Sequence, residues 1–154
     1  LIARLAGATN ESEIVLYLDA LGNTGDLRAL PSIRRYLAHG DSGIRGTAYR
    51  ALRFMDAPEV DPLLEMGLRI DPEPNVRIAA LTAISFRNLE RFAEAIVTAL
   101  RSDVSAAVRS QIVALLIRHA EMPGAAEAVA WARDNDPDPG VRAAAQRGTA
   151  DVPN

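Results

Sequence analysis

The chain has 154 residues, 49% of them hydrophobic and 24% charged, with a formal net charge of −3 and no cysteine. That length supports one domain burying roughly two-thirds of its unfolded surface, or several small stacked units, and the composition excludes a disordered chain. Disulfides, thiolate metal sites and cysteine nucleophiles are excluded with the cysteine, and the negative balance argues against a general nucleic-acid binder, which needs a basic face to neutralise phosphates.

The opening, "LIARLAG", reads as a cut helix with Leu1, Ile2 and Leu5 available for docking, so the chain is expected to be a segment of a longer protein with an apolar N-terminal edge capable of weak self-association. No secretory apolar stretch follows it. A leading helix is predicted over 11–22, where "IVLYLDAL" stands. Helical hairpins are then predicted over about 27–55, 58–87, 89–120 and 124–149. Their first helices carry Leu30, Ile33 and Leu37; Leu63, Leu64, Gly67 and Leu68; Phe92, Ile96, Val97 and Leu100; and Ala128, Val129 and Ala132, each set on one stripe. At the joints, "HGDSG" offers Gly40 as a C-terminal cap and Asp41 or Ser42 as an N-cap, while "DPEPN" and "DPDPG" place Pro where the missing N–H costs little. The closing "VRAAAQRGTADVPN" turns polar and suits the end of an array. The longest apolar runs, such as "IVALLI" at 112–117, fall far short of the roughly 20 residues of a membrane span.

The second helices repeat one another. Aligned on Ile44-Arg45, Val76-Arg77, Val108-Arg109 and Val141-Arg142, the copies are spaced by 32, 32 and 33 residues. With the Ile or Val as position zero, +4 is Ala48, Ala80, Ile112 and Ala145, and +7 and +8 read Ala51-Leu52, Ala83-Ile84 and Leu115-Leu116. These offsets share one helical stripe. A partial copy upstream ends in Ala20-Leu21, taken as +7 and +8. A lone hairpin of this kind cannot bury its apolar face, so neighbours must stack into an all-α, right-handed superhelical α-solenoid of about four hairpins plus the leading helix.

The D-x-x-x-x-V-R-x-A-A register of Asp71 to Ala80, with "LRALPSIRRYL" and its Pro31 upstream, resembles HEAT repeats over nearly the whole chain. That resemblance implies a role in transport, scaffolding or enzyme regulation. A narrower stretch, "ALGNTGDLRALPSIRRYL", "YRALRFM" and "VDPLLEMGLRIDPEPNVRIAALTAI", is similar to the helical domain of the vitellogenin and microsomal triglyceride transfer protein family. In that family such helices wrap the sheets of a lipid-binding cavity, so lipid is a partner only under that resemblance.

Arg45, Arg77, Arg109 and Arg142 hold one repeat position, and Asp71, Asp103 and Asp136 lie in the turns beside them. The row reads either as an anion-binding ladder or as an Asp–Arg network tying turn to turn. Carboxylates at fixed offset satisfy the guanidinium forks, which favours the network. From Arg28 to Arg53 there are six Arg against the single Asp41, and only Arg50 and Arg53 share one face. His39 and His119 have no second ligand at i+4, the acidic turns lack a calcium loop, and no P-loop, dinucleotide fingerprint or catalytic triad occurs. No metal or cofactor is expected. An enzyme built on such repeats, a lyase or glycosylase, is disfavoured by 5% aromatics and the negative charge.

The second helices of HEAT arrays line the concave face, so offsets +2, +6 and +9 should form a groove. Here they are Gly46, Arg50 and Arg53; Ile78, Thr82 and Ser85; Ser110, Ala114 and Ile117. A purely solvated face would be mostly charged, whereas this one is small and partly apolar. The expectation is a groove for a protein partner or an adjacent domain of the same chain, with Arg50 and Arg53 receiving a carboxylate at the rim.

Overall fold

The computed structural model describes residues 1–150, with side chains through Gly148, and among these every regular element is helical. The last four residues of the polar closing segment, 151–154, lie outside the described residues. The chain divides into two compact units, Leu1–Arg87 and Asn88–Asn154, and the division falls between the second and third hairpins.

In the first unit, α1 (Ile2–Ala6) and α2 (Glu11–Thr24) precede the hairpin made by α3 (Leu30–Arg34) and α4 (Ser42–Ala51), and α5 (Val60–Ile70) with α6 (Pro74–Ile84) make the next. In the second unit, α7 (Ala93–Ser102) pairs with α8 (Ala106–Arg118), and α9 (Ala125–Asn135) with α10 (Pro139–Ala150). The first helix of the 27–55 hairpin is broken: 3₁₀ turns at Leu27–Ala29 and Arg35–Ala38 flank α3. Its apolar spacing nevertheless buries Leu30, Ile33 and Leu37 together.

The repeat stripe is the core. Ile44, Val76, Val108 and Val141 at zero, Ala48, Ala80, Ile112 and Ala145 at +4, and the residues at +7 and +8 from Ala51 to Leu116 are all buried. Each fully buried Leu or Ile contributes about 1.5–3 kcal/mol relative to exposure, so the stripe rather than helix propensity holds the short helices together. The upstream copy is shifted by one from the sequence alignment: α2 buries Leu18, Leu21 and Gly22, while Ala20 is only half-buried. The cause is close packing. A Cβ on Gly22 would stand 2.5 Å from Ala51 Cα, so Gly22 lets α2 and α4 approach to backbone contact, and this fixes the register.

The ends follow the sequence in part. Asp41 caps α4 by accepting from the Ile44 N–H at 2.9 Å; Asn10, part of a formal glycosylation sequon, caps α2 through Glu13 N–H at 3.0 Å; and Pro74 and Pro139 open α6 and α10. Gly40 is no left-handed cap: the positive-φ glycines are Gly25 and Gly124 among the described residues. Gly25, at φ +62°, ends α2 where Phe54 carbonyl O would lie 2.9 Å from a Cβ, so both the backbone angle and the space call for glycine. The N-terminal edge differs from expectation at Leu5, which is fully buried, with the Leu5 carbonyl accepting from Tyr36 OH at 3.3 Å. The first helix is thus docked on its own chain, leaving Leu1 and Leu16 as the exposed large apolar residues there.

Candidate functional site

The Arg row is built from helix starts. Each Arg stands one residue past the zero position, in the first turn of its helix, where the Cα–Cβ bond tilts back toward the N-terminus and the preceding turn. In the first unit, Arg45 Nη1 donates to the His39 and Gly40 carbonyls at 2.9 and 3.0 Å, while Nε and Nη2 grip Asp71 at 2.8 and 3.0 Å. Arg77 Nη1 donates to the Asp71 and Pro72 carbonyls at 2.7 and 3.2 Å. The second unit repeats the device: Arg109 Nη1 donates to the Asp103 carbonyl at 2.7 Å, and Nε and Nη2 hold Asp136 at 2.8 and 2.9 Å. Arg142 Nη1 donates to the Asp136 and Pro137 carbonyls at 2.6 and 3.0 Å. Each Asp also accepts from the N–H two residues on: Glu73 to Asp71, Ser105 to Asp103, Asp138 to Asp136.

One Arg therefore closes its own turn with one edge, and in the Arg45–Asp71 and Arg109–Asp136 pairs it clasps the next turn with the other. Arg109 is 6% exposed and Asp136 1%. An external anion would have to displace a buried protein carboxylate held bidentately.

Burial alone would raise the carboxyls of Asp71 and Asp136. The hydrogen bonds from Arg45 and Arg109, the turn N–H groups and the neighbouring guanidinium charges outweigh it and hold both below the ordinary carboxylate value. A carboxyl lowered on folding adds stability that is complete above its unfolded pKa, about 3.9, and that disappears as pH falls through the folded value. Melting temperature should accordingly hold between pH 7 and 5 and fall steeply below pH 4. Asp71→Asn with Asp136→Asn should melt lower at pH 7 and show a shallower acid limb; an unchanged limb would assign the acid loss to other groups.

The outer positions of the second helices are disposed differently from one another. Gly46 is buried, with Ala79 Cβ 3.6 Å from where its own Cβ would be. Arg50 Nη2 donates to Thr47 Oγ1 at 2.8 Å and borders an open cleft with Glu11, Ser12 and Asp41. Arg53 instead donates from Nη1 to the Arg50 carbonyl at 2.9 Å and from Nη2 to Asn23 Oδ1. The two guanidiniums thus diverge and do not make one basic site, although neither forms an ion pair among the described residues. On α6, Ile78 is half-buried, Thr82 exposed and Ser85 half-buried, the two hydroxyls donating to the Ile78 and Thr82 carbonyls. On α8, Ser110 is half-buried and Ala114 exposed. Ile117 is half-buried, and a Cβ on Gly148 would lie 2.0 Å from its Cδ1, so it packs on α10.

The sequence reasoning passed over Phe54 and Phe86. They stand at +10 in consecutive copies, beyond the core stripe, and remain 48% and 56% exposed. Their rings meet edge to face, centroids 5.4 Å apart at 82°, and the Arg53 guanidinium lies 4.8 Å from the Phe54 centroid. The available signal was the repeat itself: two of the three phenylalanines share one position that the packing does not use.

The remaining candidates are structural. His39 Nδ1 accepts from the Asp41 N–H, His119 faces Glu121 at 3.3 Å, and Trp131 is half-buried with Arg101 5.7 Å from its ring centroid. Among the described residues no group of three His, Cys, Asp or Glu could hold a metal ion, and no helix is long and apolar enough to cross a membrane.

Stacked all-helical hairpins with an Arg–Asp clasp between turns define an α-solenoid. Compared with known families, the model for HEAT repeats matches residues 1–85, more than half the chain. The protein belongs to the HEAT-repeat family. HEAT repeats generally mediate protein interaction or scaffolding, and the family is typically non-catalytic. No curated protein matches the sequence.

Proposed function

We propose that this chain is a non-catalytic protein-binding or scaffolding segment, and that it meets a protein partner, or an adjacent domain of its own chain, through the outer faces of its second helices. The observation that carries this reading is what the core leaves over. Packing consumes positions zero and +4 in every copy and +7 and +8 in the first three, while Ile78, Thr82 and Ser85 in the first unit and Ser110 and Ala114 in the second stay wholly or partly exposed, with no charge among them. A face kept only for solvation has no use for that composition. Arg50, without a carboxylate partner and beside an open cleft, supplies a rim charge for an incoming carboxylate.

Separate tests suit the two units: Ile78→Glu with Thr82→Glu, and Ser110→Glu with Ala114→Glu. Crosslinking and mass spectrometry of bound proteins should show partners of the wild type lost from at least one pair, with melting temperatures within a few degrees of wild type. Retention of every partner by both folded variants would contradict the proposal. Collapse of the fold would place these side chains in the core and contradict it equally.

A further inference from the structure

We infer that Arg53, Phe54 and Phe86 form the anchor for an extended acidic peptide of a partner protein, one that presents an aromatic or aliphatic side chain next to carboxylates. The inference rests on the reading of the chain as a protein-binding module and gives that partner a chemistry. Three observations within the first unit converge on it.

The first is exposure without a packing purpose. Phe54 and Phe86 are about half exposed and lie edge to face, outside the buried stripe, while the neighbouring Met55 is fully buried. Two phenyl rings held against each other are a preformed apolar step with little rotamer entropy left to lose, the property that makes aromatic residues binding hot spots.

The second is charge. Two cations border the step. Arg87 is satisfied by Asp61 at 2.7 Å, by Asp56 at 3.7 Å and by the Met55 carbonyl at 2.7 Å. Arg53 meets no carboxylate among the described residues; its nitrogens reach only the Arg50 carbonyl and Asn23. Asp56 and Asp61 both stand on Arg87, so these charges balance, but the Arg53 guanidinium itself touches no carboxylate, and the group that completes its fork is a carboxylate from outside.

The third is immobilisation. Arg53 is held by Asn23 and Arg50 and lies against the Phe54 ring at 4.8 Å, so a carboxylate arriving there meets a fixed fork and an apolar wall together. An apolar anchor on the rings and an acidic neighbour on Arg53 would both be satisfied by one short extended segment.

The probe is a random dodecapeptide library displayed on phage, panned against the immobilised chain with counter-selection on Phe54→Ser/Phe86→Ser. Enriched peptides should be net acidic and carry Phe, Trp, Tyr or Leu. By fluorescence anisotropy, the synthesised best binder should lose about tenfold or more in affinity to the double variant. It should lose severalfold to Arg53→Gln, with a flatter dependence on salt. Both variants must melt as the wild type does; because the two Phe side chains are about half exposed, Phe54→Leu/Phe86→Leu serves as a second folded control with intermediate affinity. Enrichment of basic peptides, or of none, would overturn the inference. So would loss of binding to phosphatidylserine-containing vesicles in the double variant with no peptide enriched, which would reassign the cluster to a membrane surface. Peptide binding abolished by Ile78→Glu/Thr82→Glu but unaffected by the Phe variants would overturn this inference alone and leave the second-helix reading standing.

Discussion

Arg109→Ala should unfold the chain about 3–5 kcal/mol more easily, the cost of leaving one partner of a buried, bidentate pair without the other. Asp136 is 1% exposed. Its oxygens take two of the five Arg109 donors and the Asp138 N–H. After the substitution the Asp103 carbonyl loses a donor as well, and Asp136 must either ionise without its guanidinium or bind a proton at the expense of its turn. For a chain of this size such a loss lowers the melting temperature by roughly 10 °C. Arg109→Lys should recover only a small part, because an ammonium cannot serve the turn carbonyl and both carboxylate oxygens in the plane of a guanidinium. Circular dichroism melts decide this, and a variant melting within a degree or two of wild type would show that the pair contributes nothing net.

Gly22→Val should cost about 3 kcal/mol, the upper end of ordinary overpacking. The added Cβ would meet Ala51 Cα at 2.5 Å and Ala51 carbonyl O at 3.0 Å. These are backbone atoms of a buried helix, with no side chain to swing aside. Gly67 offers an internal comparison. There the Cβ would meet the ring of buried Tyr49 at 2.4 Å, a side chain rather than backbone, so Gly67→Val should cost less than Gly22→Val. Urea denaturation of the two variants tests the ranking, and a harmless Gly22→Val would mean that α2 and α4 can separate without loss.

The sequence made the architecture legible because the repeat multiplies weak signals. One Val-Arg pair means little, but an Ile-Arg or Val-Arg pair recurring every 32 or 33 residues, with apolar residues at +4 and, in the first three copies, at +7 and +8, leaves only a stack of hairpins. The spacing also announced the Arg–Asp row, since a cation and an anion at constant separation read as partners. It could not say which Asp each Arg takes. That depends on how far one turn lies from the next, and the clasp runs forward, from Arg45 to Asp71 and from Arg109 to Asp136. The register of the leading copy was misread because Ala20-Leu21 imitates the pattern, while the residue that sets it, Gly22, signals through the absence of a side chain. Phe54 and Phe86 escaped for another reason: at the ends of predicted helices they counted as neither core stripe nor outer face, and only the folded turns bring their rings together, with Arg53 against Phe54.

The Arg row lies inside the fold, and the proposed binding surface lies outside it. The most direct test is a double-mutant cycle on Arg45 and Asp71, with Arg45→Met, Asp71→Asn and the pair compared by urea denaturation. Two residues that clasp adjoining turns should show a coupling energy of about 1–3 kcal/mol, the double variant being much less damaged than the sum of the singles. Additivity within about 0.5 kcal/mol, with full stability in the singles and weakened partner binding, would make the row a binding surface and contradict the account.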